Sequence, residues 1–87
     1  MNNRRSSVEV IADVLRLGRA GKTEIMYSCN LSHRQLGQYL GFLSTRGFIL
    51  PDETESSKLT YVVTPKGEAL LQNLETVLRQ LSLRDLD

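Results

Sequence analysis

The stretch from Asn30 to Phe48, NLSHRQLGQYLGFLSTRGF, constrains the chain more than any other. Ser32 with Gln35 three residues later has the form of a capping box, in which each residue's side chain satisfies the other's backbone amide. Leu36, Leu40 and Leu43 then recur at helical spacing and make one apolar stripe. Gly47 after Arg46 suits a helix end in the left-handed conformation. A helix over 32–46 is expected, with His33, Arg34, Gln35, Gln38 and Tyr39 on the remaining face. Taken alone, the stretch is explained by an amphipathic helix with a solvated polar face. The segments on either side decide whether that face reads DNA.

Upstream, Met1 to Arg5 is a polar tail expected to be flexible, with Arg4 and Arg5 either touching phosphate or only solubilising the chain. Ser6 or Ser7 caps a first helix with Glu9 in its first turn. Val8, Ile11, Ala12 and Leu15 form its stripe, and Val10, Val14 and Leu17 widen it. Gly18 and Gly21 end this helix and open a turn. Gly18-Arg-Ala-Gly-Lys-Thr23 is not a phosphate loop: the required first glycine is Arg16, and a helix rather than a strand precedes it. Thr23 reads instead as the N-cap of a short second helix, with Ile25 and Met26 inward, Tyr27 inward in part, and Asn30 in the turn that follows. A short helix, a tight turn and a capped helix make a helix-turn-helix.

Downstream, Phe48-Ile-Leu50 and Leu59 to Thr64 read as two strands joined by the polar tip Pro51 to Ser57, a β-hairpin in the position of a wing. Its basic residue is Lys58, set among Asp52, Glu53 and Glu55, and such a tip is repelled by phosphate unless it turns away. Thr64 caps a last helix with Pro65 at its first position. Leu70, Leu71, Leu74, Val77, Leu78 and Leu81 give that helix a seam over several turns. Running to Leu86 it would span roughly 30 Å. A domain this small leaves part of such a helix projecting. Its expected partner is the same helix of a second chain, because three helices and a hairpin already enclose a core; the alternative is that it folds back over its own domain. The fold class expected is mainly α with a small β-hairpin (α+β). The chain divides into a tail (1–6), a winged helix-turn-helix domain (7–64) and a dimerisation helix (65–87).

Composition narrows the function. Residues 1–50 hold seven basic against three acidic side chains, and residues 51–87 hold four against seven, so one half suits phosphate and the other does not. No apolar run is long enough for a membrane span and no signal peptide is evident, so a cytoplasmic, nucleoid-associated protein is expected. Cys29 is the sole cysteine and reads as a buried thiol; with His33 it is too little for a zinc site. His33 is the sole histidine, and no nucleophile and acid accompany it in a catalytic pattern. No catalysis, metal or cofactor is expected.

Lys22-Thr-Glu-Ile25, Cys29-Asn-Leu-Ser32, Tyr39-Leu40, Phe42-Leu43, Arg46-Gly-Phe-Ile49, Tyr61 and Val63-Thr-Pro-Lys-Gly67 together resemble the small archaeal winged helix-turn-helix DNA-binding proteins of the ten-kilodalton type. The resemblance runs over nearly the whole chain from Val8. It implies double-stranded DNA as partner, a homodimer joined by an antiparallel coiled coil of the last helix, and a role in transcription regulation or chromatin organisation.

If the third helix enters the major groove, its first turns meet the bases. Arg34 suits guanine, Gln35 or Gln38 adenine, and His33 a base or a phosphate. Ser32 and Gln35 are also claimed by the cap. Tyr39 is expected to pack inward against the second helix. Lys22 and Thr23, at the start of that helix, and Lys58 on the wing are phosphate candidates; Arg46 contacts phosphate or a surface carboxylate. Gly37 and Gly41, one turn apart, reflect close approach by DNA backbone or another helix, or drift in a tolerant helix. The readings left open are a sequence-specific regulator, an architectural chromatin protein with little sequence preference, and a protein-interaction module that does not bind DNA.

Overall fold

Both of the first long amphipathic segments are nucleated by side-chain caps. At Ser6 the hydroxyl accepts from the Glu9 amide at 3.2 Å and Glu9 Oε1 accepts from the Ser6 amide at 2.9 Å. Ser32 and Gln35 repeat the arrangement at 3.1 and 3.0 Å. The computed structural model describes residues 6–53 and 58–81. The elements follow in the order α1 (Ser7–Arg16), β1 (Arg19–Ala20), α2 (Lys22–Ser28), α3 (His33–Thr45), β2 (Ile49–Asp52), β3 (Thr60–Val63) and α4 (Pro65–Leu81). The architecture is mainly helical with one small antiparallel sheet.

The sheet has three strands in the order β1-β3-β2, not the two expected. Arg19 and Ala20, read from sequence as part of a turn, pair with Val62 and Tyr61. Gly18, at φ 75°, makes the turn into β1. Pro51 and Asp52, assigned to the hairpin tip, belong to β2 and pair with Tyr61 and Thr60. Proline is tolerated there because β2 is an edge strand. Residues 54–57 of the expected tip, the tail residues 1–5 and the helical extension over 82–87 lie outside the described residues.

The core is built from one face of each helix and the inner face of the sheet. Val10, Val14 and Leu15 of α1, Ile25 of α2, Leu36, Leu40 and Leu43 of α3, and Ala20 and Ile49 of the strands are buried together with Cys29 and Leu31. The α1 stripe is shorter than its spacing suggests: Val8, in the first turn, is 39% exposed, and the buried side begins at Val10. Tyr27, expected to turn partly inward, is 76% exposed on the outer side of α2.

The last helix is fastened to the end of α3. Thr64 Oγ1 accepts from the Gly67 amide at 3.0 Å and donates to the Gly47 carbonyl at 2.7 Å. Gly47 sits at φ 77°, the left-handed helix end its sequence suggests. Gly67 is a matter of space: a Cβ there would run into the Phe48 carbonyl oxygen and lie 2.8 Å from Val63 Cγ1. Leu70, Leu71 and Leu74 then pack against the core. Arg16 Nε donates to Glu75 Oε2 at 2.9 Å, and its Nη1 to Asp13 at 2.7 Å, tying α4 to α1. The hydrogen bond to Glu75 does most to raise the Arg16 pKa, against partial desolvation, so the link holds its charge on the basic side. No helix among the described residues is long and apolar enough to cross a membrane.

Candidate nucleic-acid interface

With Leu36, Leu40 and Leu43 committed to the core, α3 presents its opposite side as a ridge between two troughs. On one flank His33, Gly37, Gly41 and Ser44 face Lys22 and Tyr61 across a cavity of about 270 Å³. On the other, Gln35, Gln38, Tyr39 and Phe42 face Ser7 and Ile11 of α1 across about 310 Å³. Arg34 and Gln38 lie along the crest. A helix standing clear of its own domain on both sides has the profile a major groove admits.

The side chains singled out from sequence separate into two sets. His33, Arg34 and Gln38 are exposed and make no hydrogen bond or ion pair among the described residues. Ser32 and Gln35 are held by the cap: the Ser32 hydroxyl accepts from the Gln35 amide, and the Gln35 carbonyl oxygen accepts from the Ser32 amide. Arg46 donates weakly to the Phe42 carbonyl at 3.5 Å and lies over the Phe42 ring, 3.9 Å from its centroid. Lys66 Nζ donates to the Arg46 carbonyl at 2.8 Å, which closes the end of α3 with a cation where the helix dipole is negative.

Two expectations need correction. Thr23 is not a cap. The N-cap of α2 is Gly21, which offers no side chain, and the Gly21 carbonyl accepts from the Ile25 amide at 3.0 Å, so the helix starts two residues early. Tyr39 does turn inward, but toward α1 rather than α2: its hydroxyl donates to Ser7 Oγ at 3.2 Å.

Lys22, the first residue of α2, is exposed between two hollows. One is the trough beside α3; the other, about 640 Å³, runs between the start of α2 and the hairpin, with Lys58 and Thr60 on its far wall and Glu24 on the near one. Gly37 and Gly41 meet nothing of their own chain: a Cβ built at either has open space for 4 Å.

The hairpin is less acidic than its composition suggests. Asp52 is not at the tip but in β2, where Arg19 Nη1 donates to its Oδ2 at 2.9 Å and to Thr60 Oγ1 at 3.2 Å. The bridge crosses the outer face of the sheet from β1 to β2. Arg19 was not singled out from the sequence. Its one signal is its place beside Gly18, and nothing local announces a partner 33 residues away.

The α4 seam is divided. Leu70, Leu71 and Leu74 are partly buried against the core, and Leu78 is half-buried, so the first half of the helix does fold back over its own domain. Val77 and Leu81, at 46% and 55% exposure, carry the seam's open end.

Comparison with known proteins agrees with this fold. A family model described as winged helix-turn-helix matches residues 4–82. Two uncharacterized proteins of Methanocaldococcus jannaschii are similar: MJ0290 at 33% identity over 79 residues and MJ0287 at 35% over 74. The matches cover 87% and 82% of this chain, but only 35% of MJ0290 and 71% of MJ0287. Among solved structures, Sso10a-2, a DNA-binding protein from Sulfolobus solfataricus, superposes with a TM-score of 0.80 at 25% identity, over 94% of this chain and 88% of that one. A probable transcriptional regulator from Pseudomonas aeruginosa shares the fold alone, with a TM-score of 0.73 at 19% identity over 98% and 67% of the two chains. The described architecture, the match over nearly the full length and the archaeal relatives together place the chain in the winged helix-turn-helix family, as a small archaeal member.

Proposed function

We propose that the protein is a homodimeric DNA-binding regulator that reads the major groove with α3. The observation that carries this is the crest of α3: Arg34 and Gln38, with His33 on the flank toward Lys22, stand exposed beside two open troughs, their side chains without partners among the described residues. Arg34 is the principal base reader, by a bidentate pair to a guanine edge, and Gln38 suits adenine. Lys22 and Lys58 face the phosphates from α2 and the hairpin. Ser32 and Gln35 position the helix through its cap, and Thr23 is at most a peripheral contact. Arg46, laid on Phe42, guards the far end of α3. The likeness to Sso10a-2, itself a DNA-binding protein, supports the same class of partner.

Dimerisation rests on the open half of α4, where Val77 and Leu81 lack the cover that Leu70, Leu71 and Leu74 find in their own domain. Two copies of α4 paired along this end present two α3 crests to one duplex.

The test is a mobility-shift titration at low salt with wild type and Arg34→Ala. A guanine contact predicts a loss of about 1–3 kcal/mol, with relaxed preference at one base position. Equal binding by both proteins removes α3 from the reading role. Selection from a random duplex pool then separates the regulator from an architectural binder, which would enrich no motif. A winged domain that binds only protein would retain no duplex at all.

A further inference from the structure

We infer that Arg19 is a phosphate-binding residue of this interface, held in place for that task by Asp52 and Thr60. The inference rests on the DNA-binding reading and adds to it a residue on β1, outside both α3 and the hairpin tip. Strand register puts Arg19, Thr60 and Asp52 on one face of the sheet: Arg19 pairs with Val62, two residues from Thr60 on β3, and Asp52 pairs with Thr60. The guanidinium therefore reaches along the sheet toward the hairpin rather than away from it.

The distribution of its hydrogen bonds is the informative part. Both of its side-chain contacts among the described residues, to Asp52 Oδ2 at 2.9 Å and Thr60 Oγ1 at 3.2 Å, use Nη1 alone. Nε and Nη2, the two nitrogens that make the side-on fork for a phosphate, donate to nothing among the described residues. That fork is what distinguishes arginine from lysine at a phosphate. The Arg19 side chain is 56% exposed while that of Asp52 is only 20% exposed, so the bridge is asymmetric: the carboxylate is the sheltered anchor and the guanidinium is the accessible partner. A bridge made only for stability would gain little at such exposure.

The surroundings supply the rest of the cradle. Thr60, which accepts from Arg19, also lines the trough between α2 and the hairpin, and Lys22 and Lys58 line the same trough. Glu24 lies there too, so the trough is not uniformly basic. Arg19, bonded to Thr60 at the trough's edge, brings a third cation beside Lys22 and Lys58, so that among the described residues cations from β1, α2 and the hairpin stand with Glu24 and with Asp52, which Arg19 itself bridges. Phosphates of a strand leaving the major groove beside α3 pass Lys22 first and enter this trough next. The arrangement also accounts for an acidic strand in a DNA-binding wing. The Asp52 charge is neutralised by Arg19 and used to orient it.

Fluorescence anisotropy of a labelled mixed-sequence duplex, titrated with wild type, Arg19→Gln and Arg19→Lys between 50 and 200 mM salt, tests this. Each phosphate contact contributes about 0.9 to the slope of log affinity against log salt. Arg19→Gln should flatten the slope by about that amount, so its deficit relative to wild type is roughly three- to fourfold larger at the low-salt end than at the high-salt end. Arg19→Lys should keep the slope, because it keeps the charge, yet bind more weakly than wild type, because it loses the fork. Thermal melting of each variant is read alongside, so that a fold defect shows as a lowered midpoint. A wild-type slope in Arg19→Gln, with wild-type duplex binding intact, overturns the role of Arg19 and leaves the DNA-binding reading standing. Absence of duplex binding by wild type overturns both.

Discussion

The helices α3 and α4 are both amphipathic, and the domain treats them in opposite ways. The apolar stripe of α3 is fully used: Leu36, Leu40 and Leu43 are all buried, Leu43 completely. What α3 leaves over is mostly polar, with Phe42 at 40% exposure beneath Arg46, and the side chains of Arg34, Gln38 and His33 stand without partners among the described residues. The stripe of α4 is only half used. Leu70, Leu71 and Leu74 meet the core, and Val77 and Leu81 do not. An unsatisfied polar crest asks for a hydrogen-bonding surface, whereas an unsatisfied apolar edge asks for another apolar edge. The same helical periodicity thus leaves two different kinds of surface, and the deciding factor is which face the domain exhausts.

The sharpest way to break the contrast is at the open end of α4. If Val77 and Leu81 meet a second copy, each contributes on the order of 1.5–3 kcal/mol on burial, and a two-fold pair buries both twice. Val77→Lys with Leu81→Lys should convert the protein to monomer at micromolar concentration in sedimentation velocity. The helical circular dichroism of the domain should stay nearly unchanged, since neither side chain serves its own core. A wild type that is already monomeric contradicts the dimer directly.

The counterpart on α3 is Leu43→Ala. This side chain has 0% exposure, so truncation removes buried carbon and leaves a cavity, at a cost of about 2–5 kcal/mol. Leu81→Ala in α4 should cost the monomeric domain almost nothing. Denaturant melts of the two variants, with Leu81→Ala measured in a monomeric background, test the pair. A similar loss from both would mean that α4 is covered by its own chain along its full length.

What the sequence discloses follows the range of the forces involved. The capping box at Ser32, a serine cap at Ser6 or Ser7, the α3 stripe and the left-handed Gly47 depend on residues within about a turn of one another, and all were legible, though the full box of Ser6 with Glu9 was not. β1 was not, because two residues become a strand only through Val62 and Tyr61, some forty positions on. The Arg19 bridge to Asp52 was hidden for the same reason, and with it the fact that an acidic hairpin is partly neutralised. Thr23 was misread because a threonine ahead of an apolar run has the form of a cap, while the carbonyl of Gly21 had already started the helix. The α4 spacing disclosed a seam but not where the domain stops covering it, since that depends on how far α1 and the α3 end reach. In the interface, the exposed polar residues of α3 could be named from helical phase alone. Which of them the cap or a neighbour would claim required the packed partners.

The smallest effect separates the crest of α3 from a tolerant surface. Gly37 and Gly41 have open space where a Cβ would go, and neither has a positive φ. Alanine at each should therefore stabilise the helix by about 1 kcal/mol, because glycine is the poorer helix former and nothing obstructs the added methyl. If the two positions had only drifted, Gly37→Ala with Gly41→Ala would raise the melting temperature and leave duplex affinity alone. If they give room for a sugar-phosphate backbone in the trough shared with Lys22, the same substitutions raise the melting temperature and lower the affinity. Stability and binding then move in opposite directions, which a change acting through the fold would not produce. An affinity equal to wild type in the stabilised variant would confine DNA contact to the Arg34 and Gln38 side of the crest. A lowered melting temperature would instead mean that a partner element, not DNA, fills the trough.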